Sequence, residues 1–102
     1  MKKLEIKTTE IEEGGKKLTY TDLVKAILNR APQGGYSPEE MGARLDILGK
    51  FNDKKLRSVK GSKFVDLEDA EFAKLYQCSA AMRWPFMHED LKTFTDYLES
   101  LA

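Results

Sequence analysis

The chain has very little of the residue types that carry chemistry in small proteins: one cysteine, one histidine and one tryptophan among 102 residues. Because Cys78 is alone, no disulfide can form within the chain, and a reducing, cytoplasmic location is the default expectation. Lysine and arginine together number 17, as do aspartate and glutamate, so zero net charge gives no overall attraction to nucleic acid or anionic membranes. The longest uncharged run, residues 75–82, is too short to cross a bilayer, and we expect no membrane partner.

Motifs for catalysis, cofactors and metals are also missing. Cys78 and His88 are the only residues that can form a thiol–imidazole pair, and a proline at position 85 separates them. Glu89 and Asp90 follow His88 directly, and consecutive helical side chains point in different directions rather than toward one ion. The glycine pairs at 14–15 and 34–35 match no phosphate-binding loop. The sequence therefore predicts a protein that is not an enzyme and uses neither cofactor nor metal.

The N-terminal part predicts β-structure within a single domain that covers residues 1–102. Residues 4–7 alternate between apolar and charged, as a half-buried strand does. Residues 12–17 predict a tight hairpin, because two adjacent glycines supply the positive φ angles of a two-residue turn. The resulting register pairs Glu13 with Lys16 and Glu12 with Lys17, and then Ile11 with Leu18.

Four helices follow in the prediction. Their expected starts are Thr19, Ser37 and Asp66 as caps and a point near His88. An unbroken apolar stripe runs through the first helix from Tyr20 to Ala31. The expected inner face of the second helix is made of Met41, Leu45, Leu48 and Phe51, widened by Ile47. The predicted fold class is α+β and mainly helical, with about four helices packed with a short N-terminal antiparallel β-hairpin.

A basic stretch lies between the second and third helices. Residues 53–63 have little periodicity and predict a loop, after which Phe64 and Val65 add a short strand to the hairpin. The cations of this loop are the candidates for contact with an anionic partner such as nucleic acid: Lys54, Lys55, Arg57, Lys60 and Lys63. The alternative is a solvated loop whose charge is balanced by the acidic third helix.

A second candidate surface lies at the bend before the last helix. Arg83, Trp84, Phe86 and Met87 surround a proline, and this composition is typical of the energetically dominant residues of protein interfaces. The alternative, which we favour from composition, is that Trp84 and Phe86 fill the core between the third and fourth helices.

Three segments resemble small uncharacterised proteins encoded by tailed bacteriophages. These segments are residues 15–19, residues 37–41 and residues 67–72, and the likeness extends over most of residues 15–98. The resemblance implies a phage or prophage origin. It implies no activity and no site residues.

These features favour two hypotheses for function. The first is a non-enzymatic interaction or assembly module that binds a protein partner or a second copy of itself. The alternative is a nucleic-acid-associated regulator that uses the basic stretch at residues 54–63.

Overall fold

The computed structural model describes residues 1–102. Its strands are β1 (Lys2–Ile6), β2 (Thr8–Glu13), β3 (Lys16–Thr19), β4 (Arg57–Val59) and β5 (Ser62–Leu67). Its helices are α1 (Tyr20–Leu28), α2 (Pro38–Lys50), α3 (Asp69–Ala81) and α4 (Glu89–Leu101), with one 3-10 turn at Asp53–Lys55.

The strands form two sheets, so the expectation of a single N-terminal hairpin is wrong. One sheet has three antiparallel strands in the order β1-β5-β4, and the other contains β2 and β3. Leu4 of β1 lies opposite Val65 of β5, and both side chains are buried. A pairing between residues so far apart in sequence leaves no local pattern that would predict it.

The β2–β3 hairpin follows the predicted register only near its turn. Glu13 lies opposite Lys16 and Glu12 opposite Lys17, as predicted. The expected pairing of Ile11 with Leu18 is wrong, because the register shifts between Thr8 and Glu12. Within this irregularity the Thr9 hydroxyl donates to the Leu18 carbonyl at 2.7 Å and accepts from the Ile11 amide at 3.2 Å. The buried Thr9 side chain thus supplies hydrogen bonds where the backbone pairing between β2 and β3 is interrupted.

The prediction that residues 53–63 form a loop is wrong, because this segment contains a 3-10 turn and most of a second hairpin. After the 3-10 turn, β4 and β5 form a hairpin whose turn contains Lys60 at φ 51° and Gly61 at φ 84°. Positive φ at both positions is what a tight two-residue hairpin turn requires. Phe64 and Val65 do lie in a strand, but β5 pairs with β1 and β4 rather than with the β2–β3 hairpin.

Three helix starts agree with the sequence and one does not. Thr19 caps α1, Ser37 caps α2 and the His88 ring caps α4. The predicted cap at Asp66 is wrong, since β5 continues to Leu67 and α3 begins after Glu68. A carboxylate near the end of a strand and a carboxylate that caps a helix give the same signal in the sequence.

Arg44 marks where the prediction for α2 fails. The buried face of this helix holds Arg44, Ile47 and Phe51, whereas Met41 and Leu45 are 47% and 58% exposed. Arg44 reaches past the end of α1, which stops at Leu28 instead of continuing toward Ala31. Its guanidinium donates to the carbonyl of Leu28, the last residue of α1, and to that of Arg30 just beyond the helix, so a charged residue takes a core position.

The remaining core is apolar and draws on both sheets and all four helices. It comprises sixteen buried hydrophobic residues: Leu4, Ile11, Tyr20, Leu23, Val24, Ile27, Leu28, Ile47, Phe51, Val65, Leu67, Phe72, Leu75, Leu91, Phe94 and Leu98. Tyr20 packs edge-on against Phe94 with ring centroids 4.7 Å apart, which brings α1 and α4 together.

Candidate functional site

The connection between α3 and α4 places its aromatic residues partly on the surface. Met82 ends α3 with an extended backbone, and no helix resumes before Glu89. Trp84 packs against the core but keeps part of its ring exposed, whereas Phe86 is 46% exposed and Met87 is 98% exposed. Trp84 is therefore only partly a core residue, because its side chain packs against the core while the residue stays partly exposed.

A groove of about 1000 Å³ runs beside this connection. We call it the tryptophan groove. It is lined by residues of the β2–β3 turn, of β3, of α1 with the two residues that follow it, and by Met82 and residues 84–86 after α3. Its apolar lining consists of Leu18, Leu23, Ala26, Met82, Trp84, Pro85 and Phe86. Met87 does not line it but lies in a shallow depression next to it, which Trp84 and Phe86 also line. Arg83 does not line the groove either, and its guanidinium reaches only the Met82 carbonyl.

The five candidate cations of the basic stretch do not act as one cluster. Arg57 donates two hydrogen bonds to the Asp66 carboxylate, at 3.1 and 2.9 Å, and its guanidinium lies 5.7 Å from the centre of the Phe64 ring. This pairing raises the pKa of Arg57 and lowers that of Asp66. Lys55 and Lys60 are exposed on the 3-10 turn and the hairpin turn. Arg57 is thus engaged within the chain and less available to an external anion.

The other two cations, Lys54 and Lys63, face a larger groove of about 1080 Å³. We call it the lysine groove. Lys7, from the β1–β2 junction, and Lys25, from α1, also line it. Sequence reasoning missed these two residues, because they lie far from the basic stretch and carry no local signal. The tertiary structure thus gathers four lysines from four separate segments.

Cys78 and His88 line different depressions. Cys78 is half-buried in α3 beside Arg44 and Met82, in a depression of about 340 Å³. The Nδ1 atom of His88 accepts the Asp90 amide at 3.0 Å, which commits that nitrogen to the start of α4. The chain contains no group of three histidine, cysteine, aspartate or glutamate side chains placed to hold a metal ion.

None of the four helices has the length and apolar character needed to cross a membrane. No family model, curated protein or solved structure matches the chain. The phage or prophage origin and the cytoplasmic location therefore stay predictions.

Proposed function

We propose that this protein is a non-enzymatic interaction module that binds an extended, acidic segment of a partner protein in the tryptophan groove. The observation that carries the proposal is the position of the exposed aromatic residues Trp84 and Phe86. They line this groove together with residues of β3, a strand with a neighbour on one side only.

The free edge of β3 supports an extended partner. An edge strand presents a row of unpaired backbone N–H and C=O groups, to which a peptide can add as a further strand. Lys16 and Lys17 of this strand are exposed. Charged side chains on an edge discourage pairing with a second copy of the same edge, because the like charges would meet. A partner of opposite charge does not meet this obstacle.

The aromatic side of the groove supplies the anchors. Large, partly exposed aromatic side chains next to apolar neighbours are the residues that contribute most to binding energy at interfaces. Trp84 is held by its contact with the core, so its ring loses little conformational freedom on binding. The alternating side chains of an added strand would place every second residue toward Trp84 and Phe86.

The charges at the rim favour an acidic segment. Lys16 and Arg30 line the groove and form no ion pair. Lys17 also lines it, but its Nζ atom forms an ion pair with the Glu10 carboxylate at 2.8 Å. Against these cations stand Glu13 at the turn and Asp22, whose carboxylate caps α1. The unpaired positive charge comes from two separate segments, β3 and the residues just after α1, so an acidic segment with apolar residues complements the groove.

A fluorescence titration tests the proposal, because the chain has one tryptophan and its emission reports on this groove. The probe is a hexapeptide that alternates glutamate with large apolar residues, compared with the same peptide carrying lysine for glutamate. We expect saturable binding of the acidic peptide and at least tenfold weaker binding after Phe86→Ala. Met87→Ala is the matched control, since Met87 is exposed outside the groove.

Three results would contradict the proposal. They are the absence of binding by the acidic peptide, equal binding of the lysine peptide, and unchanged affinity in the Phe86→Ala variant. Self-association is the other form of an interaction function, and light scattering at low and high salt separates it from peptide binding. A dimer that forms through the tryptophan groove would replace the peptide proposal.

A nucleic-acid-associated regulator is the second candidate, favoured by the placement of Lys54 and Lys63 beside two further lysines. The pairing of Arg57 with Asp66 weighs against it. A gel shift at low salt with duplex and single-stranded oligonucleotides tests this function. Binding that falls steeply with salt and weakens in a Lys54→Gln/Lys63→Gln variant would support it, and the absence of any shift would refute it.

A further inference from the structure

We propose that the lysine groove is a binding site for a small polyanion that carries two or more linked phosphate groups. The proposal is independent of the tryptophan groove. It begins with four ammonium groups that the fold gathers from the β1–β2 junction, α1, the 3-10 turn and β5: Lys7, Lys25, Lys54 and Lys63.

None of these four lysines has a carboxylate within ion-pair distance, so their charges are not neutralised by a direct partner; what distinguishes them from the other unpaired lysines is that they line one groove. By contrast, Lys17, Lys50, Lys74 and Lys92 each pair with an acidic side chain. The one aromatic contact in the set is that of Lys7, whose ammonium lies 5.8 Å from the centre of the Tyr97 ring. Four unpaired cations around one groove create a local positive potential, which the walls of a concave surface concentrate.

Three carboxylates also line the groove, and they limit the charge that a ligand meets. Asp22 is engaged at the start of α1, where it accepts the Thr19 amide at 2.9 Å and the Thr19 hydroxyl at 3.2 Å. Glu5 and Asp53 are the two other carboxylates of the lining, so two negative charges stand beside the four positive charges of the lysines. The free cations therefore outnumber the free carboxylates, which suits a ligand with at least two negative charges.

Thr21 adds a polar group that the fold itself does not use. Its side chain is 9% exposed, it lines the lysine groove, and its hydroxyl makes no hydrogen bond within the chain. No buried side-chain oxygen or nitrogen lacks a partner, so this hydroxyl is not fully enclosed in the protein. Ser62, half-buried on β5, supplies a second hydroxyl to the lining. Hydroxyl and ammonium donors together are the groups that phosphate oxygens accept from.

The size and the missing aromatics narrow the ligand class. The groove volume of about 1080 Å³ is at the upper end of the range for small-molecule sites. Its aromatic residue, Phe51, is 2% exposed and cannot stack on a nucleobase. Recognition therefore falls on the phosphate groups themselves, and a linked phosphate chain can contact several of the four lysines at once.

Isothermal titration calorimetry with inorganic tripolyphosphate tests the site. We expect a single site with a dissociation constant of about 0.1–1 mM, a range that a few exposed ionic contacts can provide. A Lys25→Gln/Lys63→Gln variant should bind at least tenfold more weakly. The matched control is Lys3→Gln/Lys55→Gln, which removes the same charge from exposed positions that line neither groove.

Thr21→Val is the second variant, because it removes the hydroxyl while keeping the shape of the side chain. We expect a severalfold weaker affinity at an unchanged unfolding midpoint, a result that a purely structural threonine would not give. Equal losses in the groove variant and the control variant would show diffuse surface attraction and overturn the proposal. So would the absence of binding at millimolar tripolyphosphate.

Two further ligands, ATP and a short single-stranded oligonucleotide, distinguish a small polyphosphate from a nucleic acid as the source of the phosphate groups. Equal affinity for ATP and tripolyphosphate would support recognition of the phosphate chain alone. Oligonucleotide binding that is at least tenfold tighter, and that also weakens in Lys3→Gln/Lys55→Gln, would overturn the small-molecule site in favour of nucleic acid.

Discussion

The guanidinium of Arg44 donates a hydrogen bond to the backbone carbonyl of Leu28 at 3.0 Å, although the two residues are 16 positions apart. The same Nη1 atom donates to the Arg30 carbonyl at 2.9 Å, and Nε donates to the Glu40 carboxylate at 3.0 Å. The end of α1 therefore finds a hydrogen-bond donor on α2, and the Tyr36 hydroxyl from the connection between the two helices donates to the same Leu28 carbonyl at 3.3 Å. Arg44 thus adds polar contacts between two helices that also share the apolar core.

Arg44→Met should lower the free energy of unfolding by about 2 kcal/mol, because it keeps the length of the side chain but removes three hydrogen bonds. The Arg30 carbonyl loses this donor, whereas the Leu28 carbonyl keeps the Tyr36 hydroxyl and the Glu40 carboxylate keeps Lys74. Urea denaturation measures the change. Arg83→Met is the matched control, since Arg83 is exposed and bonds only to the neighbouring Met82 carbonyl. A loss below about 1 kcal/mol for Arg44→Met would show that water satisfies these groups instead.

Tyr97→Phe should cost about 1 kcal/mol, because the Tyr97 hydroxyl accepts the Glu5 amide at 2.9 Å and so connects α4 to the edge strand β1. Tyr76→Phe removes an equal hydroxyl that has no hydrogen bond within the chain, and it should change stability by less than about 0.5 kcal/mol. Thermal unfolding of both variants gives the comparison. Equal effects would mean that the Tyr97 bond contributes nothing to stability.

Stability should fall in acid partly through Glu40. Hydrogen bonds from Lys74 and then from Arg44 lower the pKa of this carboxyl. A pKa lower in the folded than in the unfolded state gives stability that is present above the unfolded value, about 4.3, and is lost as pH falls through the folded value. The free energy of unfolding of Glu40→Gln should therefore depend less on pH in this acidic range than that of the wild type.

Glu39→Gln is the control for this pH dependence, because Glu39 is the adjacent residue and has no ion pair. Its unfolding free energy should follow the wild-type pH profile. Urea midpoints measured across the acidic range give both profiles. Identical profiles for Glu40→Gln and Glu39→Gln would contradict the assigned role of the Lys74 and Arg44 contacts.

Gly42→Ala should stabilise the protein by about 0.5–1 kcal/mol. Gly42 lies inside α2, and an added Cβ would meet no atom within 4 Å, so alanine brings its higher helix propensity without a clash. Gly61→Ala is the contrasting variant. Its site is equally open, but its φ of 84° should cost alanine about 1 kcal/mol. Urea denaturation that shows the same sign for both variants would refute the argument.

The candidate sites were only partly accessible to prediction. The aromatic bend was visible, because Trp84 and Phe86 lie close together beside a proline. The lysine groove was half visible, because Lys54 and Lys63 belong to the basic stretch whereas Lys7 and Lys25 come from distant segments. The structure also shows that Arg57 pairs with Asp66, which lies nine residues later in the next strand. Counting the charges in the sequence cannot reveal this pair.

By itself the sequence determined the features that depend on neighbours along the chain. The Gly14–Gly15 turn and the caps at Thr19 and Ser37 are set by local hydrogen bonds and backbone freedom, so they could be read directly. Only the tertiary structure decided that β5 joins β1, and that α2 buries Arg44 while exposing Leu45. The physical reason is that strand partners and buried helix faces depend on free energies summed over distant residues, and several apolar patterns satisfy the local rules equally well.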